Sequence, residues 1–223
     1  MRSNLILLLF LTTPVLAGEP SSGQFKDWIP SGWKLLQTSK GDLNKDGRDD
    51  VALVLEEKNP KKIKEDNNLS PLPLNFNKRR LLVLLREKSG YQELIKKDDF
   101  LPSESSEENS CLVDPLVEKG VKIKKGVLQI ELNYWLSCGG YGTTHETFKF
   151  RLENDRLRLI GRDSLSFSRN SGDQEENSKN FLTGQEKIIT GRNKFEKELS
   201  NPKISWKPIE GKKEIYLDEM TLK

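Results

Sequence analysis

Short apolar runs closed off by turn residues, with no amphipathic helix between them, constrain the fold of this chain most. Residues 51–55 (Val-Ala-Leu-Val-Leu) and 79–85 (Arg-Arg-Leu-Leu-Val-Leu-Leu) are almost continuously apolar, as strands covered on both faces are. Residues 127–132 (Val-Leu-Gln-Ile-Glu-Leu) and 147–152 (Thr-Phe-Lys-Phe-Arg-Leu) instead alternate, which puts Phe148, Phe150 and Leu152 on one buried face. Gly90 and Asn154-Asp155 punctuate these runs as hairpin turns would. A helical turn fits at 25–30 and a first strand at 33–38, while residues 59–74, with Pro60, Pro71 and Pro73, read as a long loop. Residues 164–179 are polar and turn-rich, 181–190 fit one more strand or an edge ladder, and the tryptophans 28, 33 and 206 read first as core. The expectation is a mainly β, antiparallel sandwich or strongly bent sheet in a single domain over 25–223, polar from about 164 onward; α+β is the alternative.

The first 17 residues carry Arg2, an apolar run from Leu5 to Leu11 and a small-residue stop at Ala17, the grammar of a secretory signal peptide. An N-terminal anchor is the other reading, but the run is well short of the roughly 20 residues a spanning helix needs. Residues 18–24 (Gly-Glu-Pro-Ser-Ser-Gly-Gln) fit a flexible leader. The expected location is periplasmic or secreted, with no transmembrane segment. Charge excludes one class of partner. The whole chain is formally +3 with both signs interspersed, which gives no case for nucleic acid. The basic cluster at 58–64 reads as a solvated loop.

The densest chemistry lies in Gly41-Asp42-Leu43-Asn44-Lys45-Asp46-Gly47-Arg48-Asp49-Asp50. Asp42, Asn44, Asp46 and Asp50 place side-chain oxygens at loop positions 1, 3, 5 and 9, and Arg48 places a backbone carbonyl at position 7. Gly47 supplies the sharp turn. A hard cation such as Ca²⁺ is wrapped in this order. Position 12 is Leu53 where a calcium-sensing loop carries a bidentate Glu, so the expectation is a rigid strand–turn–strand clamp with structural Ca²⁺. The metal-free alternative is a turn whose Asp and Asn side chains cap backbone amides.

Cys111 and Cys138 are the two cysteines, and an even count in an exported chain suggests a bridge, with two unpaired buried thiols as the alternative. The stretch from Trp135 to Glu146 adds Tyr141, His145 and three glycines. It reads in three ways: as a hairpin loop pinned by the bridge, as a contact loop offering Trp135, Tyr141 and His145 to a glycan or protein, or as an enzyme site with Cys138 as nucleophile and His145 as base.

The acidic turn resembles the Asp-x-Asx-x-Asp-Gly-x-x-Asp calcium turn of FG-GAP and VCBS-type repeats, over about residues 41–55. By position, the resemblance makes Asp42, Asn44, Asp46 and Asp50 the side-chain ligands. No second copy of the unit occurs, so a propeller is not implied. More broadly, residues 79–84, 126–130, 147–151, 157–161 and 180–184 are similar to those of a family of small exported bacterial proteins, a likeness that implies no particular reaction. The resulting expectation is a non-enzymatic binding module of the cell envelope with one structural calcium-type turn and an envelope protein or glycan as partner. A secreted hydrolase or inhibitor using residues 135–146 is the alternative.

Overall fold

The computed structural model describes residues 22–65, 73–196, 201–211 and 214–222. The expected signal segment and the first part of the expected leader lie outside them. A 3-10 segment, Ser22–Trp28, takes in the last leader residues and the expected helical turn. Thirteen strands follow among the described residues: β1 (Trp33–Gly41), β2 (Asp50–Glu57), β3 (Ile63–Lys64), β4 (Leu74–Asn75), β5 (Arg79–Glu87), β6 (Gly90–Lys97), β7 (Leu116–Lys124), β8 (Val127–Trp135), β9 (Gly142–Glu153), β10 (Arg156–Ser168), β11 (Asp173–Asn180), β12 (Gln185–Asn193) and β13 (Lys203–Pro208). They build a four-stranded sheet, β1-β2-β5-β6, and a seven-stranded meander from β7 to β13, all antiparallel. The chain is therefore a mainly β sandwich. The two-residue strands β3 and β4 pair with each other inside the expected 59–74 loop.

The two sequence patterns map onto two packing environments. Ala52 and Val54 of β2 and Leu81 and Val83 of β5 face the seven-stranded sheet, where they meet Leu128, Ile130, Phe148, Phe150, Leu157 and Leu159. Their neighbours Val51, Leu53, Leu55, Leu82 and Leu84 point the other way, onto Phe25, Trp28, Ile29, Trp33 and Tyr91. The N-terminal 3-10 segment thus covers the outer face of β2 and β5, which is why those runs are apolar without alternation. Only the first part of the meander faces the smaller sheet, so its strands alternate.

β1 and β7, the edge strands of the two sheets, meet at a seam made by side chains. A bulge at Leu36 in β1 and a wider irregularity between Leu116 and Val121 in β7 interrupt both ladders. Gln37 bridges the gap: its Nε2 donates to Val117 O (2.9 Å) and its Oε1 accepts from Val121 N (3.3 Å). Ser39 Oγ accepts from Ile123 N at 2.9 Å. Backbone groups that the bulge would orphan are satisfied in this way. Gly41 lies so close to Ile123 that a Cβ would meet its carbonyl oxygen at 2.7 Å.

Residues 164–179 depart from expectation. The polar stretch continues β10 to Ser168 and then forms β11. A bulge at Ile160 in β10 changes which side chains face the core. Leu157 and Leu159 point inward before it, whereas Asp163, Leu165 and Phe167 stand beside Thr147, His145 and Thr143 on the open face. Trp206 on β13 is also a correction. It is 64 % exposed, whereas Trp28 and Trp33 are partly buried and pack against the core.

Candidate functional site

The 42–50 turn joins β1 to β2 and is organised by a buried carboxylate. Asp50, fully buried, accepts Leu43 N (2.8 Å) and Asn44 N (3.2 Å) on Oδ2 and Arg86 N (2.8 Å) on Oδ1. The turn is thereby clamped to the β5–β6 hairpin. Asp42 accepts Asp46 N (3.1 Å) on Oδ1 and Gly47 N (2.9 Å) on Oδ2, and Asn44 Oδ1 also accepts Asp46 N (3.1 Å). Asp46 accepts Arg48 N on Oδ1 (2.9 Å) and takes the Arg48 guanidinium on Oδ2, with Nη2 at 2.6 Å. These Arg48 bonds hold the Asp46 carboxyl below its ordinary range. Lys45 and Gly47 adopt positive φ, 65° and 84°. Among the described residues no three His, Cys, Asp or Glu side chains converge on one point. The oxygens of the turn face its own amides. A carboxylate oxygen with one amide bond keeps a second lone pair, so Asp42, Asn44 and Asp46 retain acceptor capacity toward a cation.

The second candidate lies at the opposite end of β8. Cys111 and Cys138 are paired at disulfide distance, Cα–Cα 5.4 Å. With its sulfur in that bond, Cys138 has no thiol to act as a nucleophile. The bond ties the segment before β7 to the β8–β9 connection, aided by Ser137 N and Oγ donating to Cys111 O (2.8 and 3.0 Å). Arg169, just past β10, holds the same connection from the other side. Its Nη2 donates to Leu136 O (2.7 Å) and Gly140 O (2.6 Å), and its backbone N–H to Tyr141 O (2.8 Å). Its guanidinium lies 5.3 Å from the Trp135 ring centre. Nothing in the sequence around Arg169 announces this role.

Register shows which side chains of this end share a surface. Trp135 pairs with Thr143, and Thr143 with Phe167; Asn133 pairs with His145, and His145 with Leu165. Directly opposed residues of antiparallel strands share a face, so Trp135 and His145 both lie on the open side of the meander. His145 belongs to β9 rather than to the connecting loop. Tyr141, in the loop, is 62 % exposed. A depression of about 450 Å³ lies on the open face beside His145 and Leu165, and one of about 480 Å³ lies where β9–β12 run on past it, lined by residues of both faces, Thr143 and Phe167 of one and Thr144 and Ser166 of the other.

A third polar cluster was not foreseen from sequence. Arg79, 3 % exposed, donates through Nε to Glu56 (3.2 Å) and through Nη1 and Nη2 to Asp114 (2.5 and 2.7 Å). Glu56 also receives Lys34 (2.7 Å) and Asn75 (3.2 Å). Burial alone disfavours a charged Arg79, and the two carboxylates more than offset it, so its pKa is raised. Every charge here has an opposite partner, which makes the cluster a clasp between β2, β5 and the approach to β7.

No helix among the described residues is long and apolar enough to cross a membrane. No family model, curated protein or solved structure matches the chain.

Proposed function

We propose that this chain is an exported, non-enzymatic binding module of the cell envelope, periplasmic or secreted, with its metal and contact sites at opposite ends of one sandwich. The observation that carries the reading is Tyr141, exposed on a connection that the Cys111–Cys138 bond and Arg169 hold from two sides. An exposed aromatic on a pre-ordered loop meets a partner at low entropic cost. The partner is an envelope protein or glycan.

The 42–50 turn is proposed to take one structural Ca²⁺ ion, in line with its resemblance to FG-GAP and VCBS-type turns. Asp42, Asn44 and Asp46 would supply side-chain oxygens and Arg48 its carbonyl. Asp50, whose two oxygens already accept three amides, would shape the loop and act at most through water. Arg48 would leave Asp46 on binding. The turn lies by the β5–β6 and β7–β8 hairpins, away from the 135–142 end, so its metal is structural.

Retention on washed envelope material tests the contact site. Tyr141→Ala removes an exposed ring and is expected to weaken retention at an unchanged melting temperature. Wild-type retention by that variant would overturn the loop as the contact surface.

A further inference from the structure

The basic cluster at 58–64 reads from sequence as a solvated loop, but the fold builds it into a platform. Lys61, Lys62 and Lys64 meet Lys78 around a depression of about 470 Å³. The backbone that carries them is fixed by amide side chains. Asn77, buried, accepts Asn59 N (2.9 Å) and donates to Asn75 Oδ1 (2.8 Å). Asn75 in turn donates to Glu56 (3.2 Å) and Glu104 (2.9 Å), which joins the platform to the Arg79 clasp. Phe76 N donates to Lys62 O at 2.9 Å, and β3 pairs with β4.

We propose that this depression binds a phosphate monoester. The site goes beyond the contact reading at Tyr141 and does not depend on it. Charge carries the argument. Four of the lining residues are cations, and Glu107 is the one acid among them. Lys62 is taken by Glu57 (2.5 Å), and Asp98, whose charge Lys78 feels, is taken by Arg80 (2.5 Å). Lys64 Nζ lies 5.2 Å from the Phe76 ring centre. No carboxylate of the described residues pairs with Lys61, Lys64 or Lys78. Like charges gathered around one hollow repel, and a bound anion relieves that repulsion. Ser105 adds a donor: its Oγ accepts Asn75 N (3.0 Å), which leaves the hydroxyl hydrogen free to donate. Lysine selects the kind of anion. An ammonium group is a point charge without the planar fork that matches a carboxylate, so several of them suit a compact phosphate of about −2 charge. The ester is either soluble or the headgroup of a lipid, and the experiment separates these sources.

The test is a ¹⁵N–¹H NMR titration of residues 18–223 with glycerol 3-phosphate in chelator, following the backbone amides of Lys64, Lys78 and Ser105. The expected result is a saturable shift that weakens as salt rises from about 50 to about 200 mM. Lys61→Gln and Lys78→Gln are each expected to weaken binding about tenfold at an unchanged melting temperature, the loss of one charge-assisted hydrogen bond. Lys88→Gln, in the turn at the far end of β5, should bind as the native chain does. Sedimentation with phosphatidylcholine vesicles carrying phosphatidic acid, lost in Lys78→Gln, would assign the ester to a lipid headgroup. Binding of glycerol 3-phosphate without sedimentation would assign it to a soluble ester. No saturable shift, equal shifts with acetate at the same ionic strength, or undiminished affinity in both lysine variants would overturn the proposal. Tyr141→Ala should leave glycerol 3-phosphate binding unchanged, so this site and the contact loop fail separately.

Discussion

Asp46 and Arg48 form an exposed pair whose protonation is readable residue by residue. The Arg48 side chain is the largest cause holding the Asp46 carboxyl below its ordinary value of 3.8. Because the folded pKa is depressed, the pair's contribution is present above about pH 4 and is lost as pH falls through the folded value. Arg48→Ala should therefore raise the Asp46 pKa toward the ordinary value in a carboxyl ¹³C titration, and an unmoved pKa would contradict the pairing. Arg79 makes the contrasting case of a buried charge. Removing it as Arg79→Met leaves Glu56 without its buried partner, at an expected cost of about 3–5 kcal/mol in denaturant unfolding. Replacing Glu56 by Leu as well should recover much of that loss. Gly41→Ala is expected to cost about 1–3 kcal/mol, since the new methyl meets the fixed backbone of Ile123.

At the level of elements, strand burial governed what could be read from the sequence. β2, β5, β8 and β9 were legible because their apolar residues are continuous or strictly alternating. β7 was not. Its Leu116, Val121 and Ile123 are thrown out of period by the irregularity at Lys119-Gly120, and Gln37 from a distant strand repairs the ladder. β11 was missed for another reason. Its sequence, Asp-Gln-Glu-Glu-Asn-Ser-Lys-Asn, has no apolar residue, because both its faces lie beyond the smaller sheet and only its paired neighbours hold it extended. Trp135, Tyr141 and His145 were readable as candidates by residue type. Arg169 was not, since its hold on the connection comes from bonds to the Leu136 and Gly140 carbonyls, which no local pattern announces. Gln37→Ala should strip two hydrogen bonds from the β1–β7 seam, and faster amide exchange at Val121 is the expected signature. Unchanged exchange there would mean that the seam does not depend on Gln37.

Across the whole molecule, the proposed metal turn and the proposed contact loop lie at opposite ends. Closing a loop with a sequence separation of 27 through Cys111–Cys138 contributes on the order of 3–4 kcal/mol in the chain-entropy model. Retention on envelope material, measured well below the melt, should be equal in Ca²⁺ and in chelator if the metal only stabilises. The most direct test of the metal site is a thermal melt of residues 18–223 in roughly millimolar Ca²⁺ and again in chelator. With a Kd near 10⁻⁴ M, linkage gives about 1.4 kcal/mol, a rise of roughly 3–6 °C for a chain of this size. That rise is expected in the native chain, and its loss in Asp46→Ala. Equal melting temperatures in Ca²⁺ and chelator would contradict it and leave the 42–50 turn closed on its own amides.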